Sequence, residues 1–222
     1  MGEVIRLRAE DGHEFTAWHA ETVPPRKGAV VVVQEIFGVN AHIRSVCERF
    51  AAAGYTAIAP ALFDRLRSGV ELGYDEAGIV EGRDLVAALG WDSPMREIAA
   101  SAKALRADGA VGVVGYCWGG SVTFLAACRL NIGCAAAYYG RHIVDFLSER
   151  PRCPVTFHFG AEDALIPAEN VEKVRAAYPQ APLWVYDGAG HGFNCDQRPD
   201  FRPAAANAAL IRTLDLFAQH LT

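Results

Sequence analysis

Val111-Gly112-Val113-Val114-Gly115-Tyr116-Cys117-Trp118-Gly119-Gly120-Ser121-Val122 is the stretch around which the chain reads. Its first four residues are apolar and β-branched but for Gly112, as in a strand buried on both faces. Glycines then bracket Cys117 two residues to either side, and an Ala/Leu-rich helical segment follows. Strand, sharp turn and helix in this order put the central side chain at the tip of a strained elbow, where a nucleophile is exposed and the flanking glycines let strand and helix close up. The proposed nucleophile is therefore a thiol. The competing reading is a glycine-rich turn whose buried cysteine is only a small hydrophobe.

The surrounding sequence favours the first. Val4 to Arg8 and Glu14 to His19 read as strands around the turn signal Asp11-Gly12, an antiparallel hairpin at a sheet edge. Ala29 to Val33 is a continuous apolar strand that breaks at Gln34-Glu35-Ile36-Phe37-Gly38. Asn40 caps a helix with Ile43, Val46, Cys47, Phe50 and Ala51 on one face, stopped by Gly54. Tyr55 to Ala59 is the next strand, ended by Pro60. Leu62 to Gly73 is irregular and is a candidate lid. Asp75 to Leu89 and Ser93 to Leu105 read as helices, the second with Ser93 as N-cap, Pro94 at its first position and Glu97 close behind. Beyond the elbow, Ala135 to Tyr139, Val155 to Phe159 and Leu183 to Tyr186 are strands, and Ala168 to Tyr178 and Ala204 to Leu221 are helices.

This alternation predicts an α/β fold with a mainly parallel, twisted sheet and helices on both faces. Sites in such sheets lie beyond the carboxyl ends of the strands. Glu35, Cys117, Asp163 and His191 each follow a strand directly.

With 222 residues, 51% hydrophobic and 21% charged, residues 1–222 are expected to form a single domain. The net charge of −5, with scattered basic residues, speaks for small-molecule partners, with no nucleic acid and no membrane. The start, Met1-Gly2-Glu3-Val4-Ile5-Arg6, lacks the apolar core of a signal peptide, and the apolar runs fall short of the roughly 20 residues that span a bilayer. A cytoplasmic location is expected. Six cysteines without a Cys-x-x-Cys pair read as free thiols and give no metal-ligand spacing. No metal or organic cofactor is expected, and the chain is expected as a monomer or weak homo-oligomer.

Cys117, Asp163 and His191 occur in the chain order of α/β-hydrolase triads. A thiol with a pKa near ~8.5 is mostly protonated at neutral pH and needs a base, for which imidazole is suited. His191 would accept the proton. Asp163 would fix its tautomer and stabilise the imidazolium, with Glu162 a rival acid one residue away. Two N–H donors are needed for the oxyanion, and the expected ones are those of Trp118, after the nucleophile, and Ile36.

At these residues the chain resembles the dienelactone hydrolases, or carboxymethylenebutenolidases, of the α/β-hydrolase superfamily. The resemblance runs from about Val30 to the C-terminal helix. It is carried by Gln34-Glu35-Ile36-Phe37-Gly38, Gly115-Tyr116-Cys117-Trp118-Gly119-Gly120, Tyr138-Tyr139-Gly140, Asp163 four residues before Pro167, and Gly190-His191-Gly192-Phe193. It implies the α/β-hydrolase fold, a Cys117, His191 and Asp163 triad, Ile36 and Trp118 as oxyanion donors, and Glu35 as the group that meets the resting thiol and takes its proton when substrate arrives. Two arginines hold the substrate carboxylate in that family. One follows the catalytic histidine by a few residues, where this chain has Asn194-Cys195; at the place of the other stands Ile79, with Arg83 one helical turn later. Phe37, Tyr139, Trp118 and Phe193 are candidate pocket walls.

The reading that results is a cysteine-dependent hydrolase of small esters or lactones acting through an acyl-enzyme. The alternative is a non-catalytic thiol sensor or small-ligand binding protein on the same fold. A glutamine amidotransferase would place its acid two residues after the histidine, where Phe193 stands.

Overall fold

The computed structural model describes residues 2–106 and 109–221, so Met1 and Thr222, the bounds of the expected domain, lie outside it. Eight strands share one sheet: β1 (Glu3–Arg8), β2 (Glu14–Ala20), β3 (Gly28–Val33), β4 (Tyr55–Pro60), β5 (Val111–Tyr116), β6 (Cys134–Tyr138), β7 (Val155–Gly160) and β8 (Leu183–Tyr186). Their spatial order is β1-β2-β4-β3-β5-β6-β7-β8. The two pairings at the β1 edge are antiparallel and the other five parallel, in the register Val31 opposite Val113 and Val114 opposite Ala136. β3, β4, β5, β6 and β7 are buried at every residue, which is why their sequences are apolar runs and not alternations.

Helices α1 (Ala41–Ala52), α2 (Glu76–Leu89), α3 (Ser93–Leu105), α4 (Trp118–Arg129), α5 (Ala168–Ala177) and α6 (Pro203–His220) connect or follow the strands. On one face, Phe217 of α6 packs its ring 5.7 Å from that of Phe50 on α1 and 5.6 Å from Tyr55. On the other, α3 and α4 touch each other across β3. Asn40 caps α1 as its sequence predicts, its side-chain oxygen accepting from the Ile43 N–H at 3.2 Å.

Three local expectations change. The N-cap of α3 is Asp92, in αR backbone with no side-chain cap bond, and Ser93 is its first helical residue. β6 stops at Tyr138, since Tyr139 takes a φ of +37°. Leu62 to Gly73 lines none of the site and is fastened to the body. Leu62 and Phe63 are buried, the Asp64 carboxylate accepts from the Thr16 N–H at 2.8 Å and the Thr16 hydroxyl at 2.7 Å, and Arg65 reaches Glu97 at 2.6 Å. Gly38 bridges to Glu71, and the Leu72 N–H donates to the Phe37 carbonyl at 2.9 Å. The segment thus braces the loop after β3.

Glu97 is the inward end of this brace. Burial pushes its carboxyl pKa up while Arg65 works against that. Taking Arg65 away leaves a buried carboxylate uncompensated, so Arg65→Met should cost about 3 to 5 kcal/mol in urea unfolding. The double variant Arg65→Met/Glu97→Leu should recover most of it, and a double variant no more stable than the single one would show that the pair is not what holds the segment.

Candidate active site

Cys117 lies between β5 and α4 at φ +57° and ψ −120°, a conformation an L-residue adopts only when its surroundings force it. Two close approaches supply the force. A Cβ on Gly119 would lie 2.3 Å from the Gln34 carbonyl oxygen, and one on Gly120 would lie 2.2 Å from that of Tyr138. Only glycine lets the first turn of α4 sit this close to the chain leaving β3 and β6. The half-buried thiol is thereby aimed across the sheet's carboxyl edge.

There it meets the two residues the sequence pairs with it. The Cys117 sulfur is 3.1 Å from His191 Nε2, and His191 Nδ1 is 2.8 Å from Asp163 Oδ2. The other Asp163 oxygen accepts from the Leu165 N–H at 2.8 Å, so the carboxylate is held at both ends. Glu162, the rival acid, sits on the surface and makes no such contact. Burial acts against a charged His191, but the Cys117 charge and the Asp163 hydrogen bond outweigh it and push the imidazole pKa up to about 10. Asp163 and His191 have side chains 0% and 9% exposed, so the pair is shielded from water that would screen it. Trp118 is the first residue of α4, and its N–H has no intrahelical partner.

A cavity of about 540 Å³ opens over the thiol, a size suited to a small organic molecule. Ile36 and Phe37 wall it from the loop after β3, and Ile79, Arg83, Val86 and Ala87 from α2. Trp91, Trp118, Arg141, His142, Leu165, His191 and Arg198 complete most of the rest. Phe37 and Arg83 therefore line the cavity. Tyr139 and Phe193 do not: both are fully buried behind the histidine, Tyr139 edge-on to the His191 ring at 5.2 Å and Phe193 against Tyr139 at 5.2 Å.

Three guanidiniums and no carboxylate among the described residues line this largely apolar space. Among the described residues Arg83 and Arg141 have no ion pair or hydrogen bond, while Arg198 pairs with Asp200 at 3.2 Å and lies 5.7 Å over the Tyr74 ring. Arg198 escapes sequence reasoning because it stands seven residues after His191, where the resemblance looks about four residues on. Its only signal is a basic residue in a loop otherwise acidic and polar, Asn194-Cys195-Asp196-Gln197-Arg198.

Glu35 is 1% exposed and neither carboxylate oxygen has a hydrogen-bond partner among the described residues. Beside it, His42 and Cys195 offer ligand atoms that, with a Glu35 oxygen, all lie within 4.8 Å of one another. All six cysteines are free, and no described helix is long and apolar enough to cross a membrane.

An NMR titration tests the relay. His191 should keep its proton as pH rises well past the ordinary imidazole range near ~6.5. Asp163→Asn removes a negative partner, so the titration midpoint should fall, and kcat should drop by about 10³ to 10⁴ through the wrong tautomer. A midpoint unmoved by the substitution would mean that Asp163 does not act on the ring.

Residues 15–221 match the family described as the dienelactone hydrolase family. The carboxymethylenebutenolidase of Pseudomonas putida is 31% identical over 229 residues, covering 98% of this chain and 97% of its own. A Synechocystis protein with a provisional carboxymethylenebutenolidase name is 36% identical over 211 residues, 86% of each chain. Among solved structures, a Klebsiella pneumoniae chain with a provisional dienelactone hydrolase name superposes with a TM-score of 0.80 at 31% identity, covering 98% of this chain and 100% of that one.

Proposed function

The chain belongs to the dienelactone hydrolase family of α/β-hydrolases, ester and lactone hydrolases, and from that premise we propose that residues 1–222 act as one catalytic domain that opens small anionic lactones or esters through a Cys117 acyl-enzyme. The observation that carries this reading is the continuous relay from the Cys117 sulfur through His191 to Asp163, at 3.1 and 2.8 Å.

Cys117 and His191 act as a thiolate–imidazolium pair, the imidazole holding the thiol's proton, and the thiolate attacks the carbonyl carbon. The oxyanion that forms is met by the N–H groups of Ile36 and Trp118. Collapse breaks the acyl C–O bond, and the imidazolium returns its proton to the leaving alkoxide. In a lactone that alkoxide stays tethered to the acyl group. His191 then deprotonates a water that attacks the thioester, releasing the acid and restoring the thiol. Glu35, buried with both oxygens unpartnered among the described residues, is the second proton acceptor for Cys117 that the family resemblance assigns.

The substrate class follows from the cavity wall. Aromatic faces from Phe37, Trp91 and Trp118 suit a flat unsaturated ring, and the unpaired Arg83 and Arg141 with Arg198 suit a carboxylate on it. Arg198 thus serves where the family's arginine after the catalytic histidine is absent.

Steady-state hydrolysis of cis-dienelactone, a neutral lactone and p-nitrophenyl acetate tests both parts. Cys117→Ala should abolish all three activities. The anionic lactone should be preferred at least tenfold in kcat/KM, about 1.4 kcal/mol in the transition state. Arg198→Met should remove most of that preference through KM while leaving the neutral ester within a few-fold. Equal cleavage of neutral and anionic substrates would overturn the substrate class and spare the mechanism. Reaction of Cys117 with iodoacetamide and no turnover on any substrate would overturn the mechanism in favour of a thiol sensor.

A further inference from the structure

We propose that Glu35, His42 and Cys195 form a binding site for one divalent transition-metal ion of the zinc class, set directly behind the catalytic cavity. Glu35 comes from the loop after β3, His42 from the first turn of α1 and Cys195 from the loop before α6. Ile36 lines the cavity, so Glu35 is one residue behind its wall.

Several buried polar atoms here are left unsatisfied by the protein alone. Glu35, His42 and Cys195 are 1%, 0% and 0% exposed, and among the described residues both Glu35 oxygens and His42 Nε2 have no hydrogen-bond partner. A buried carboxylate without a partner costs several kcal/mol, and so in lesser measure does an unpaired ring nitrogen. One cation among ligand atoms within 4.8 Å of one another satisfies both. The second support is the orientation of His42. Its Nδ1 bonds Asp196 Oδ1 at 3.1 Å, which fixes the tautomer and directs Nε2 inward, the carboxylate-histidine arrangement that accompanies metal-bound imidazoles. Asp196 is itself steadied by Arg49 at 4.0 Å.

Imidazole and thiolate donors select zinc-class ions over magnesium or calcium. Cys195 now donates its thiol hydrogen to the Tyr74 oxygen at 3.3 Å; on metal binding that proton leaves to solvent and a sulfur–metal bond takes its place. The Arg198 charge is felt at Glu35 and opposes a dication, so two anionic ligands, thiolate and carboxylate, are what the site must supply. Cys195, His42 and Asp196 repeat the residue types of the relay, but a fully buried sulfur cannot reach an acyl carbon. The consequence for catalysis rests on the role proposed for Glu35: an ion bound there occupies the carboxylate and slows acylation.

Cobalt(II) titration of reduced Cys117→Ala protein, in which the active-site thiol cannot compete, tests the site. One ion per chain should bind, with a thiolate-to-cobalt charge-transfer band that zinc displaces. The band should vanish in Cys117→Ala/Cys195→Ser, and affinity should fall at least tenfold with His42→Gln and about 10- to 100-fold with Asp196→Asn. No band in Cys117→Ala protein, or one that survives Cys195→Ser, overturns the site. Should the Cys195 variant fail to fold, zinc-edge absorption of Cys117→Ala protein decides: a sulfur neighbour at about 2.3 Å that is lost with His42→Gln supports the site, and oxygen and nitrogen neighbours alone overturn it. Zinc binding with unaltered hydrolysis by the wild type would uphold the site and remove the proposed role of Glu35.

Discussion

The close approach of α4 to the backbone leaving β3 and β6 is the constraint from which the site follows. Carbonyl oxygens of Gln34 and Tyr138 stand 2.3 and 2.2 Å from where a Cβ on Gly119 or Gly120 would be. Contact at that range fixes where the helix begins, and with it the positive φ that presents Cys117. Strain of this kind persists only in a well-packed frame. The frame is the sheet: five strands buried at every residue, with α3 and α4 against one face and α1 and α6 against the other.

Rigidity passes outward from that frame through polar contacts. The loop bearing Ile36 and Phe37 is tied to Glu71 and Leu72. That segment is tied through Asp64 to Thr16 on β2 and through Arg65 to Glu97 on α3. The hairpin at the sheet edge contributes no residue to the cavity, yet it anchors the brace behind one cavity wall. Ile79, Arg83, Val86 and Ala87 of α2 and Arg198 of the loop after β8 line the same cavity from outside this braced frame.

Legibility in the sequence follows the range of the interactions. The elbow, the buried strands and the Asn40 cap are local, and residues within a few positions of one another announce them. The meeting of Cys117, Asp163 and His191 is long-range but readable, because a parallel sheet brings the ends of its strands to one edge. Distances along irregular chain are not readable in this way. Leu62 to Gly73 has the composition of a mobile loop, and only the buried Glu97 and the side chain of Thr16 reveal it as a brace. Arg198 enters the cavity because of how the loop after His191 folds, which no periodicity encodes. Phe193 follows His191 closely in sequence and Tyr139 directly follows a central strand, yet both lie behind the histidine in space. Glu35, His42 and Cys195 come together from three segments with no ligand spacing.

Under the proposed function, the loop from Gly192 to Arg202 hands the binding of substrate charge to chain length. Its first residue adjoins His191, and its Arg198 reaches the cavity after a stretch that neither strand nor helix constrains. Adding or deleting a residue there would slide the guanidinium along the cavity wall while the relay stayed in register on the sheet. In a lineage built on this frame, selectivity can therefore drift by insertion and deletion at one place, with no compensating change among the residues that do the chemistry.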